Sequence, residues 1–170
     1  MNRHVRKIAV AGTHSTGKTT FLTQLRTELE AKEIRVAYVH PSAVRARELG
    51  FPILQDQNIE TATWLVAETI RMEAEASVAS DIILVDRPVP DAIGYLLAAL
   101  RVTGRKLDQR RLDALRAVCA AWIAEYDLIF VTKINPDIPL GDGRDTNHEF
   151  RIAAGQAIAE LLAEMAPRAI

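Results

Sequence analysis

The chain has 170 residues, 49% of them hydrophobic and 25% charged, and carries a net charge of −1 at pH 7. That length and composition suit one ordinary globular domain with a full core, residues 1–170, and leave no room for a second. Basic and acidic residues are interleaved, so no field of a single sign marks nucleic acid as a partner.

The first residues, Met1 to Lys7, are basic like the start of an export signal, but the apolar run behind them stops after Ile8 to Ala11 and enters a glycine-rich turn. That pattern is a short strand. No stretch approaches the roughly 18 consecutive apolar residues of a membrane span, so a soluble cytoplasmic protein is expected, with no membrane partner. After the strand comes Gly12-Thr13-His14-Ser15-Thr16-Gly17-Lys18-Thr19-Thr20. The spacing G-x-x-x-x-G-K-[ST] lets the backbone curl so that successive N–H groups point at phosphate oxygens. Lys18 can reach the β- and γ-phosphates, the Thr19 hydroxyl can ligate magnesium, and a helix opening near Gly17 adds its positive end. Phe21, Leu22, Leu25 and Leu29 lie at helical spacing through Lys32, which gives the strand, loop, helix context this motif requires. His14 and Ser15 are expected to lend backbone amides, with His14 read as an exposed loop residue.

Further strands are expected over Arg35 to Val39, Asp81 to Asp86 and Asp127 to Thr132, and helices over Ile59 to Ala79, Asp91 to Val102, Asp108 to Glu125 and Phe150 to Met165. Apolar strands alternating with helices imply an α/β fold: a parallel sheet covered on both faces. Asp86 closes an apolar strand at the sheet's C-terminal edge, where ligands of open α/β folds bind, and can reach the magnesium. In Asp86-Arg-Pro-Val-Pro-Asp91, the second aspartate opens a helix, where it either satisfies free N–H groups or meets a substrate. Cys119 is the lone cysteine, inside an apolar helical run, and reads as a core residue with no internal disulfide. Trp64 and Trp122 lie in helical apolar patterns and read as core as well. Asn135 to Asn147 is rich in Pro, Gly and Asp and reads as a loop; Arg144 and, beyond it, Arg151 are either surface arginines of a solvated segment, which spacing alone favours, or flank a segment able to close over phosphates. Pro167 to Ile170 looks like the start of a fifth strand.

The stretches Ile8 to Thr20, Gly50 to Ile53, Ile82 to Tyr95, and Asp142-Gly-Arg144 through Phe150-Arg151 resemble a group of P-loop kinase-like ATPases. These are related to nicotinamide riboside kinase domains and, more distantly, to deoxynucleoside and thymidylate kinases. The resemblance implies a three-layer P-loop NTPase fold with sheet order 2-3-1-4-5, and Mg2+ with ATP or GTP on the loop. It also implies an acceptor in the cleft between Arg45, the Asp86-Arg87 motif and the helix from Ile59. By the same resemblance Arg144 and Arg151 are lid arginines in a segment of about 136–151, Arg87 and Asp91 face the acceptor, and a homodimer is expected. The implied reaction moves the γ-phosphoryl group to a hydroxyl or phosphate of a small molecule, a nucleoside or nucleotide foremost. Two departures stand out: many relatives carry a catalytic glutamate where this chain has Ser42, and relatives continue through a fifth strand toward the nucleotide base. A regulatory NTPase that binds a protein partner is the alternative. Its GTPase form is disfavoured, because no glycine stands three residues after Asp86 and Thr132-Lys-Ile-Asn135 lacks a guanine-reading aspartate.

Overall fold

In the computed structural model, which describes residues 4–134, 147–166 and 170, four short strands alternate with helices. The strands are β1 (Arg6–Ala11), β2 (Val36–Val39), β3 (Ile82–Asp86) and β4 (Leu128–Val131). The helices are α1 (Lys18–Glu30), α2 (Ala43–Glu48), α3 (Ile59–Ser77), α4 (Val89–Thr103), α5 (Gln109–Ile123) and α6 (His148–Met165). A turn of 3-10 helix, Leu54–Asp56, lies between α2 and α3. All strand pairs are parallel, in the order β2-β3-β1-β4. This is the expected order for the first four. On the open side of β4, Ile170 donates to the Ile129 carbonyl at 2.8 Å and accepts from Val131 at 2.6 Å, the place where a fifth strand was expected.

The strands are apolar on both faces because both faces are covered. Ala9, Ala11, Ile83 and Val85 join the main core with α3, α4, α5 and α6, whereas Val10 and Leu84 turn the other way onto Leu22 of α1. The two-residue period of the strands thus feeds two cores from one sheet. The helices begin where caps permit: Asn58, Asp108 and Asn147 accept backbone N–H groups of α3, α5 and α6. Pro88 and Pro90 start α4 two residues earlier than apolar spacing alone suggests, in the helical turn where a missing N–H costs nothing. Gly94 of α4 faces α6 so closely that a Cβ there would lie 3.1 Å from backbone atoms of Ile158. Cys119 is fully buried, as its apolar setting implied. Among the described residues no helix is long and apolar enough to cross a membrane.

Candidate functional site

β1 and β3 end side by side, with Val10 in register with Asp86, so the glycine loop and the Asp86 carboxylate emerge together at the C-terminal edge of the sheet. The loop depends on its glycines. Gly12 has φ 133° and approaches Thr132 so closely that a Cβ would sit 3.0 Å from its carbonyl oxygen, and Gly17 opens α1 in the left-handed region at φ 83°. Ser15, at φ 53°, takes the same hand without that freedom. Its carbonyl is held by Arg151, whose Nη2 donates to it at 2.9 Å while Nε donates to the His14 carbonyl at 3.2 Å.

Lys18 is buried and folds back over the loop, donating to the Thr13 carbonyl and, at 3.1 Å, to Thr16 Oγ1. A second network lies behind the loop. The Gly12 N–H is 3.2 Å from both oxygens of Asp91, so this carboxylate serves the loop and not the free amides of its own helix. Burial pushes the Asp91 pKa up, against the pull of Arg87 and Lys18. The Tyr95 hydroxyl accepts from the His14 N–H at 3.0 Å and from Arg87 at 3.1 Å, leaving its own proton for Thr13 Oγ1 or His14 Nδ1, each 3.3 Å away. Arg87 itself has φ 69°, a conformation that costs a non-glycine residue about 1 kcal/mol or more. Its N–H on the Val10 carbonyl and its guanidinium over the Tyr95 ring, 5.2 Å from the centroid, hold it there.

Asp86 is 2% exposed. Its Oδ2 accepts from Thr19 at 2.7 Å and from Tyr38 at 3.1 Å, whereas Oδ1 is buried without a hydrogen-bond partner. Burial first, and then the Asp86 charge, push the Tyr38 phenol above its ordinary pKa, so Tyr38 is a lasting donor to this carboxylate. A buried carboxylate oxygen with no donor is expensive unless a cation or water meets it. An anionic oxygen beside a threonine hydroxyl at the mouth of a phosphate loop fits a magnesium ion, which takes one or two protein ligands and fills its octahedron with phosphates and water. Among the described residues no group of three or more His, Cys, Asp or Glu side chains forms a metal site of another kind.

A cleft of about 670 Å³ opens from this edge, lined by Thr19, Asp86, Arg87 and Asp91 on one side and by residues around α2 and the 3-10 turn on the other. Ser42 lines it, in weak contact with Met72 Sδ at 4.0 Å. Arg45 does not. It is exposed and pairs with Glu48 at 3.4 Å, while Arg47, two residues on and therefore on another helical face, lines the cleft. His14, expected to be exposed and to lend its amide to phosphate, is 3% exposed at the cleft wall, and its N–H is taken by the Tyr95 hydroxyl. Thr20 is exposed in the first turn of α1. Arg151 is 5% exposed and grips the loop from below, in a different place from the expected lid. Arg144 and the rest of the expected lid through residue 146 lie outside the described residues. Trp64 and Trp122 stay out of the cleft: Trp64 packs on Phe51, and Trp122 lies under Lys7. Tyr38 and Thr132 had no signal in the sequence, since each acts through a contact with a distant residue.

A family model described as "AAA domain" matches residues 7–169. The chain belongs to that family. No curated protein sequence matches it. Among solved structures, NadR protein in complex with NR superposes with a TM-score of 0.69 at 16% identity, covering 98% of this chain and 45% of that one. NadR in complex with NAD and AMP-PNP gives 0.69 at 18% identity, covering 98% and 43%. Deoxyadenosine kinase from M. mycoides with bound dATP gives 0.66 at 13% identity, covering 96% and 90%. The AAA-domain chain therefore spans less than half the length of the NadR chains, and it shares with all three the P-loop kinase fold that the sequence motifs implied.

Proposed function

We propose that this AAA-domain protein is a magnesium-dependent phosphotransferase that moves the γ-phosphoryl group of ATP or GTP to a small-molecule acceptor of nucleoside or nucleotide type. The observation that carries the reading is the Thr19–Asp86 pair with its orphaned Oδ1, Thr19 standing next in the chain to Lys18, at the mouth of a ligand-sized cleft. Lys18 and the loop amides other than those of Gly12 and His14 bind the phosphates, and Lys18 stabilises charge on the transferring group. Thr19 and Asp86 would hold the metal, which when bound would neutralise phosphate charge. Arg87 and Asp91 border the acceptor, and Arg144 is assigned to the transferring phosphate. Arg151 fixes the curvature of the loop by holding two of its carbonyls. The bound ligands of the neighbours, NR, NAD with AMP-PNP, and dATP, support a nucleotide co-substrate and a nucleoside-sized acceptor.

The test is consumption of ATP and GTP, with magnesium, across a pool of nucleosides, nucleoside monophosphates and small alcohols, the products being identified by mass. An acceptor heavier by one phosphoryl group is expected. Lys18→Ala is expected to lower turnover by about 100- to 1,000-fold, the usual loss when one charge-stabilising donor is removed. Nucleotide bound tightly with no acceptor-stimulated turnover sinks the proposal in favour of a regulatory NTPase.

A further inference from the structure

Phosphoryl transfer to a hydroxyl asks the protein for a group that accepts the hydroxyl proton, commonly a carboxylate within hydrogen-bond reach. Among its described lining residues the cleft has two carboxylates, Asp86 and Asp91, and both are engaged. Asp86 holds Thr19 and Tyr38 through one oxygen and offers the other to a cation, which lowers its basicity. Asp91 shares the single Gly12 N–H between its two oxygens, has Arg87 3.7 Å away as a counter-ion, and keeps its side chain almost wholly buried at the cleft wall. Ser42 stands at the rim in place of a third. The rim instead carries positive or ionisable nitrogen. Arg47 and His40 both line the cleft, both are exposed, and neither side chain has a hydrogen-bond or ion-pair partner among the described residues; the His40 ring only packs on Tyr38, 4.5 Å between centroids. The apolar wall between rim and loop includes Ile53, Leu54 and Leu65, suited to a flat heterocycle.

We infer that the acceptor attacks through an anionic oxygen: the cleft is built for a phosphate monoester, a nucleoside monophosphate, held at the rim by Arg47 and His40. This rests on the phosphotransferase reading and narrows it. In the step, an acceptor phosphate oxygen bonds to the γ-phosphorus while the β–γ bridging P–O bond breaks, and its electron pair leaves on the nucleoside diphosphate. No proton has to leave the nucleophile at neutral pH, because phosphate monoesters lose their second proton near pH 6. A cleft whose described lining offers no spare carboxylate is therefore sufficient for this acceptor and deficient for a hydroxyl.

The experiment compares each nucleoside with its 5′-monophosphate in the presence of the purified protein and magnesium-ATP, with products read by mass and phosphorus NMR. Monophosphates are expected to be phosphorylated at least about 10-fold faster than the matching nucleosides, as one charge-assisted contact to the acceptor predicts. Arg47→Gln is expected to raise the monophosphate KM about 10-fold for the same reason. Ser42→Glu, which brings negative charge to the rim, is expected to slow monophosphate turnover. Faster phosphorylation of nucleosides, with a kcat that falls in His40→Gln, would make His40 a proton acceptor for a hydroxyl and overturn the inference while leaving the phosphotransferase reading intact. Nucleotide consumption that no acceptor stimulates overturns both.

Discussion

Two carboxylates are buried at opposite ends of the sheet, and they are satisfied in opposite ways. Glu73 of α3 lies near the start of β1 and is fully buried, with Tyr126 at 2.6 Å on one oxygen and Trp122 at 2.9 Å and Lys7 at 3.3 Å on the other. Asp86, at the end of β3, has two donors on one oxygen and none on the other. The first cluster is complete, and Lys7 even lies over the Trp122 ring, 4.4 Å from its centroid. The second is finished only when something positive arrives. Burial alone therefore does not distinguish a structural carboxylate from a functional one; the unfilled lone pairs do.

The comparison breaks if the two residues respond alike to substitution. The largest effect is expected from Glu73→Ala, which strands the Lys7 ammonium among apolar groups and should cost about 3–5 kcal/mol in urea unfolding, while the folded fraction binds nucleotide normally. Asp86→Asn should do the reverse. Magnesium affinity and turnover are expected to fall by at least about 100-fold, with the melting temperature kept or raised, because the orphaned charge is gone. A fall in stability of several kcal/mol in that variant would place Asp86 in the same class as Glu73. Tyr38→Phe removes one of the two donors to Asp86 and is expected to weaken magnesium binding about 10-fold, with about 1 kcal/mol of stability lost.

The smallest effect sharpens the Glu73 side. Burial pushes its pKa up, despite the lowering pull of Tyr126, Trp122 and Lys7. A carboxyl raised in the folded state contributes stability that is fully present below its unfolded value, near 4.3, and is lost as pH rises through the folded value. The melting temperature of the wild type relative to Glu73→Gln should accordingly fall as pH rises across that window. A pH-independent difference would show that the partners hold Glu73 at its ordinary value.

The phosphate loop, the four strands and Asp86 were legible because each is a local pattern: a fixed spacing, an apolar run, a charge at its end. The short helix α2 escaped because six residues carry too little periodicity. Contacts between distant residues were less accessible still. Arg151 binds a loop 137 residues away, and only the family resemblance, not its spacing, suggests a lid. Glu73 reads as one more polar residue in an amphipathic helix until Lys7, Trp122 and Tyr126 converge on it. Arg45 and Arg47 are equivalent in composition, and only the helical phase of α2 decides which one reaches the cleft.

The close approach of α4 to α6 at Gly94 and Ile158 bears on how the loop fluctuates. Asp91 and Tyr95 come from one of these helices and Arg151 from the other, so the amides of Gly12 and His14 and the carbonyls of His14 and Ser15 are anchored to one packed pair. Those two amides should therefore exchange with deuterium only when the helix pair itself comes apart, at rates set by global unfolding, although the loop they belong to borders an open cleft. Phosphate binding to such a loop needs little ordering of the backbone, because the core has already supplied it.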